Sequence, residues 1–330
     1  MALRVENEAA FPVVLGPHGS APDPAAAVAA AREQVAGLLE RAGALLLRGF
    51  PIADGSAFAA VARGLGGKPM EYVGGNVPRT RVSSDVFTST ELDRRFRIQL
   101  HNELAYQRTY PDRIAFFCER PARTGGQTTI VDCRLVLRDI DPAVVAEFER
   151  RGIRYVRTFQ ATRPRREAFK KRFPLYYHQT WESAFGTSSR DDVERACREL
   201  EMQFRWRPNG DLEVWNELPA TIVHPRTGER IWFNQATNLH YNRRSLGWLV
   251  YLSRKLFYRS GRDHPYQIYF GDGSAVSRRQ IGSVQDAIDR HTTGVDWQQG
   301  DLLVLDNRLV AHGRAPYSGN RRVLVSMLRG

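Results

Sequence analysis

The chain has 330 residues, of which 42% are hydrophobic, 10% aromatic and 25% charged, the ordinary balance of a globular protein able to bury a sizeable core. No apolar run approaches the roughly 20 residues of a membrane-spanning helix, no basic flank and apolar stretch marks a secretion signal, and Cys118, Cys133 and Cys197 form no C-x-x-C pair or disulfide framework. The formal charge of +12 is carried by arginine spread along the whole length, since Lys68, Lys170, Lys171 and Lys255 are the only lysines.

A cytoplasmic protein without a membrane partner is therefore expected. Its basic surface suits an acidic partner protein or an anionic substrate. A specific nucleic-acid partner is not expected, because no clustered Arg/Lys face interleaved with aromatics is present. A homo-oligomer is compatible with the composition.

Residues 1–23 read as irregular, punctuated by Pro12, Pro17 and Pro22. A helix then runs from Asp23, a capping residue, and Pro24 to a stop at Gly43. "ALLLRGFP" reads as a short buried strand and "SAFAAVARGLGG" as a second helix. From residue 70 onward strand-like runs dominate: "RIQLHNE", "RIAFFCE", "GQTTIVD", "IRYVRTFQ", "TIVHP", "RIWFN", "DLLVLDN" and "RRVLVSML". Helical segments interrupt them near 185–205, 243–259 and 277–291. The pattern predicts a mainly β fold with flanking helices, a sandwich or barrel, in one domain over 1–330 with helical insertions around 160–215 and 236–290.

On a strand, His101 and Glu103 would share one face of "RIQLHNE" by the period of two. A second histidine, His312, follows the strand "DLLVLDN" near the end of the chain. Two histidines and a carboxylate can occupy one face of an octahedral iron and leave three positions open, the layout of non-haem Fe(II) oxygenases. A 2-oxoglutarate cosubstrate needs an always-charged fork for its distal carboxylate, which arginine supplies. Alternation along "RRVLVSML" assigns that fork to Arg322 and turns Arg321 away, and Thr128 in "GGQTTIVD" offers a second contact. Arg97 and Gln99 share the predicted face of His101 and are candidates for the substrate cavity. Arg314 in "HGR" is placed to meet a substrate carboxylate or to brace the turn by a salt bridge.

"LHNELAYQRTYPDRIAFFCERPARTGGQTTIVDCRLVLRDID", "YFGDGSAV" and "WQQGDLLVLDNRLVAHGRAPYSGNRRVLVSM" together resemble the taurine dioxygenase and clavaminate synthase superfamily, and within it the syringomycin-type aspartyl hydroxylases. The resemblance covers about residue 40 to the end. It implies a double-stranded β-helix, the cupin-like jelly roll, with Fe(II) held by His101, Glu103 and His312 and 2-oxoglutarate held by Thr128 and Arg322. Asn234 matches a "WFN" stretch of the relatives and is a candidate to line the site. The commoner His-x-Asp is His-x-Glu here, as in clavaminate synthase; the related halogenases replace the carboxylate by a small residue, so Glu103 argues against halogenation.

The resemblance further implies an enzyme that uses Fe(II), 2-oxoglutarate and O2 to hydroxylate an unactivated C–H. Its expected substrate is the β-carbon of an amino acid, free or tethered to an acidic carrier protein, in natural-product biosynthesis. Desaturation, cyclisation or oxidation of another anion such as a sulfonate would use the same chemistry. A non-catalytic binding module is the contrasting reading, and the intact set of metal and cosubstrate residues opposes it.

Overall fold

The computed structural model describes residues 3–18, 23–70, 80–83, 85–89, 92–173, 178–258 and 264–330. Its largest sheet has eight strands, seven of them ordered Leu3–Asn7, Val13–Pro17, Ala44–Leu47, Leu302–Asp306, Arg113–Arg120, Arg322–Arg329 and Lys68–Pro69, with Phe87–Thr88 also paired to Arg322–Arg329. A second sheet, ordered Thr293–Val295, Thr128–Asp132, Val310–Arg314 and Ile98–His101, carries both candidate histidines. The described pairings in these two sheets are antiparallel except that of Val13–Pro17 with Ala44–Leu47.

One hydrophobic cluster joins the two sheets: Phe116, Leu303, Val323, Val325 and Met327 from the large sheet meet Leu100, Ile130 and Val310 from the small one. The opposite face of the large sheet is equally apolar. Ala115, Phe117, Val304, Leu324 and Leu328 pack beneath the helices Pro24–Ala30, Arg32–Ala42 and Gly55–Gly64. Phe58 stacks on Phe117 with ring centroids 5.4 Å apart, and burying a side chain of that size contributes roughly 1.5–3 kcal/mol. The central strands are thus buried on both faces and read as unbroken apolar runs, with no alternation to mark inside from outside.

Local signals explain the helices. Asp23 accepts from the Ala25 N–H ahead of Pro24, Asp54 caps Ser56 and Ala57, and Ser277 with Gln280 closes a capping box on Arg278–His291. The first helix is two, because Ala31 leaves helical geometry between Pro24–Ala30 and Arg32–Ala42. The irregular start expected for residues 1–23 is corrected: Leu3–Asn7 is an edge strand and Val13–Pro17 the next strand in, their short alternation (Leu3, Val5; Val13, Leu15) masked by the prolines around it.

A further sheet is ordered Gln203–Trp206, Leu212–Leu218, Ile153–Phe159 and Tyr266–Phe270, and the helices Pro164–Arg172, Trp181–Phe185 and Arg190–Glu199 lie in the first expected insertion. Ala236–Leu239, Arg243–Leu246, Trp248–Phe257 and Arg278–His291 supply the second. All three cysteines are buried and free. Among the described residues no helix is long and apolar enough to cross a membrane.

Candidate active site

His101 ends the strand Ile98–His101 and His312 occupies the middle of Val310–Arg314, directly opposite in the antiparallel register. Their ring centroids are 4.7 Å apart, and Phe116 walls the His312 ring at 5.0 Å. His101 donates its Nδ1–H to the Gln99 carbonyl at 2.8 Å, which selects the tautomer with its lone pair on Nε2, as a metal-ligating histidine requires.

Glu103 reaches the same point by a different route from the one alternation predicts. The strand stops at His101, and the chain turns through Leu104, whose φ of 55° is left-handed. The turn, not a shared strand face, aims the Glu103 carboxylate inward, where it is 3% exposed. Glu103 Oε2 and His312 Nε2 are 3.6 Å apart, too far for a hydrogen bond and close enough to share a cation. One donor atom each from His101, Glu103 and His312 lies within 4.8 Å of the others, and no other group of this kind occurs among the described residues. Two nitrogens and one carboxylate oxygen converging in a buried recess fit a divalent iron.

Gly313, beside His312, has no room for a side chain: a Cβ there would lie 2.5 Å from the Ile98 carbonyl oxygen and 2.8 Å from Thr129 Oγ1. The glycine lets the two ligand-bearing strands close on each other.

Thr128 opens its strand, is 3% exposed and accepts from Trp297 Nε1–H at 3.1 Å, leaving its own O–H to donate. It lines a small cavity of about 30 Å³ at the triad together with Ser89, Ile98, Arg314 and Arg321. Ser89, Arg314 and Arg321 also line an adjoining cleft of about 610 Å³.

The facing of the two closing arginines is the reverse of that expected. Arg322 is 48% exposed, pairs with Glu119 at 2.5 Å and reaches only the wide cleft, whereas Arg321 lines both that cleft and the small cavity at His101 and His312. Leu324 and Val325 are both buried, so apolarity alone could not choose between the faces, and the ladder to Arg113–Arg120 shifts register between Arg322 and Val323. Arg321 donates Nε–H to the Gly126 carbonyl at 2.9 Å. A Cβ on Gly126 would stand 3.0 Å from the Arg321 Cδ, so this glycine, at φ +76°, leaves the passage for the guanidinium. Burial, reinforced by the nearby Arg314 cation, pushes the Arg321 pKa down to about 10. Among the described residues no carboxylate lies within salt-bridge distance of it.

The four substrate candidates divide. Arg314 is at the site, 5% exposed, and its pKa too is lowered, chiefly by burial. Its Nη2 donates to the carbonyls of Leu92 (3.1 Å), Asp93 (3.1 Å) and Phe96 (3.0 Å), bracing the approach to the His101 strand through the backbone. Arg97 and Gln99 are not at the triad. A register shift pairs Ile98 with Arg314 while His101 pairs with His312, so Ile98 lines the small cavity and alternation fails. Arg97 and Gln99 instead line a separate cleft of about 360 Å³, where Gln99 Nε2 donates to the Ser245 carbonyl at 3.0 Å. Asn234 does not line the site either; its amide donates to the Ala220 carbonyl at 2.8 Å and accepts from Ala236 N–H at 2.9 Å. Arg321, Ser89 and Trp297 were missed, and only the odd-numbered parity of Arg321 with Val323 and Val325 pointed to it.

The family described as "Taurine catabolism dioxygenase TauD, TfdA family" matches residues 11–328. The dapdiamide synthesis protein DdaC of Enterobacter agglomerans is 30% identical over 292 residues, 88% of this chain and 83% of that protein. A clavaminate synthase-like protein of Arabidopsis thaliana is 29% identical over 332 residues, 97% of this chain and 94% of the relative. The solved structure of PvcB, an Fe, alpha-ketoglutarate dependent oxygenase from an isonitrile synthetic pathway, shares the fold with a TM-score of 0.51 at 15% identity, over 100% of this chain and 92% of that one. The chain belongs to the TauD, TfdA family and is a non-haem Fe(II)/2-oxoglutarate-dependent dioxygenase.

Proposed function

We propose that the enzyme hydroxylates an unactivated C–H, the β-carbon of an amino acid presented free or on an acidic carrier protein, in a biosynthetic pathway. The observation that carries the reading is the convergence of His101, Glu103 and His312 beside the half-buried Arg321, which has no carboxylate within salt-bridge distance among the described residues. DdaC, named for dapdiamide synthesis, supports the substrate class. The arginine-rich surface suits an anionic substrate or an acidic carrier. Facing sheets with a shared core support a double-stranded β-helix, and we read residues 1–330 as one dioxygenase domain with helical insertions.

In this reading His101, Glu103 and His312 hold Fe(II), and Glu103 keeps the position that a halide would need. Iron with 2-oxoglutarate and dioxygen supplies an oxidant that removes hydrogen from carbon and returns hydroxyl, releasing succinate and carbon dioxide. The small cavity has room for little beyond the metal and its ligating atoms. A cosubstrate held there would reach past Thr128, and Arg321, in place of Arg322, would offer its fork to the distal carboxylate. Phe116 and Ile98 keep the recess dry.

Mass spectrometry of free and carrier-loaded amino acids, with succinate measured in parallel, tests the proposal. Gain of one oxygen atom coupled to succinate is expected. Loss of two hydrogens would reassign the outcome to desaturation or cyclisation, and failure of anaerobic Fe(II) and 2-oxoglutarate to give a visible charge-transfer band would refute the site.

A further inference from the structure

Asn307 lies in the turn between the strand Leu302–Asp306 and the strand that carries His312. It is 0% exposed, and its side chain is spent on the chain around Glu103. Its Oδ1 accepts from the Glu103 N–H at 2.7 Å, while its Nδ2 donates to the Glu103 carbonyl at 3.0 Å and to the Pro111 carbonyl at 2.8 Å. One amide thus grips Glu103 by both backbone groups, as a neighbouring strand would, at the point where the strand has ended.

The grip is reciprocal. Asn102 Nδ2 donates to the Asn307 carbonyl at 2.8 Å, and Gln235 Nε2 holds the Asn102 carbonyl at 2.8 Å. Asn307 is itself fixed, because its N–H donates to the Asp112 carbonyl at 2.9 Å and Asp306 Oδ1 accepts from Arg308 and Leu309 in the same turn.

We propose that Asn307 is a positioning residue for the metal site: it sets the Glu103 Cα against the segment that delivers His312, and so fixes the spacing of the carboxylate and the distal imidazole. Glu has one more rotatable bond than Asp, so where its carboxylate lands depends more heavily on how firmly its backbone is held. The strand ladder holds His101 and His312. Beyond the ladder, Asn307 takes over that task for Glu103.

The inference rests on Glu103 being a metal ligand, and one Co(II) titration of the whole chain without cosubstrate separates the two. Wild type should bind Co(II) with a characteristic visible spectrum; no binding would overturn the triad and this inference together. Asn307→Ala should weaken Co(II) by about 10–100-fold and change the spectrum. Asn234→Ala, which removes another buried amide, bonded only to the Ala220 and Ala236 backbone, should lower the melting temperature and leave affinity and spectrum as in wild type. If Asn307→Ala melts lower yet binds with wild-type affinity and spectrum, Asn307 is merely structural and the proposal is wrong. Should that variant not fold, Asn307→Asp, which keeps the acceptor and loses both donors, carries the same test through the melting shift that Co(II) adds: a reduced shift supports the proposal and an undiminished one overturns it.

Discussion

His101 and His312 stand directly across from one another in the antiparallel ladder with their rings 4.7 Å apart, so one backbone register sets the distance between two of the three candidate ligands. Replacing any ligand by alanine leaves that register in place. His101→Ala, Glu103→Ala and His312→Ala should therefore keep the wild-type circular dichroism while iron-dependent succinate formation falls by more than about 100-fold. Turnover near wild type in any of the three would remove that residue from the metal set.

The two closing arginines separate under mutation. Arg321→Ala should raise the KM for 2-oxoglutarate by roughly 10–100-fold, the value of a lost charge-assisted hydrogen bond. Arg322→Ala removes a half-exposed pair with Glu119 and a side chain that borders the wide cleft but not the small cavity; it should leave that KM unchanged and alter stability by about 1 kcal/mol or less. Steady-state kinetics in 2-oxoglutarate decides between them.

A guanidinium does not surrender its proton in a folded protein, so the half-buried Arg321 is a cation with no carboxylate within salt-bridge distance among the described residues. 2-Oxoglutarate at about 100 times its Kd should stabilise the chain by about 2.7 kcal/mol, a melting shift of several degrees. Differential scanning fluorimetry should show that shift in wild type and, at the same concentration, about half of it or less in Arg321→Ala.

Burial pushes the Cys133 thiol up to about 12 from its ordinary 9.0. An acid whose pKa is raised by folding contributes stability that is complete below the unfolded pKa and is lost as pH rises through the folded one. Denaturant midpoints should fall between about pH 9 and 12, and Cys133→Ala should lessen the slope by at most about 1.4 kcal/mol per pH unit. An identical slope in the variant would assign the alkaline loss to other groups.

Gly313→Ala puts a methyl group where a carbonyl oxygen and a threonine hydroxyl already stand. The strands must part, at a cost of about 1–3 kcal/mol. Reduced thermal stability together with weakened Co(II) binding is expected, and unchanged binding would show that the ligand strands tolerate a wider gap.

The metal site was legible because ligand chemistry is written in residue types: His101, Glu103 and His312 announce themselves wherever the backbone bends. The arginine proposed here for the cosubstrate was not, because choosing between Arg321 and Arg322 requires knowing which face of Arg322–Arg329 is inside, and both faces are apolar. Arg97 and Gln99 went astray by a single register shift beside Ile98, an event with no composition of its own. Asn307 was passed over because a buried asparagine in a turn reads as a turn former; its two bonds to Glu103 exist only once residues 204 positions apart are brought together.

Helices from the first 64 residues clothe the outer face of the strand whose inner side leads to Arg321. Stripped of that cover, Phe117, Val304, Leu324 and Leu328 would form a bare apolar plate beside partly unpaired strands, an invitation to stack with other sheets. Shortening the protein from its beginning would thus yield an aggregate before it yielded a slower catalyst. A search for mutations that keep the enzyme dispersed at high concentration should begin at Val28, Val35 and Phe58, on the far side of the sheet from the chemistry.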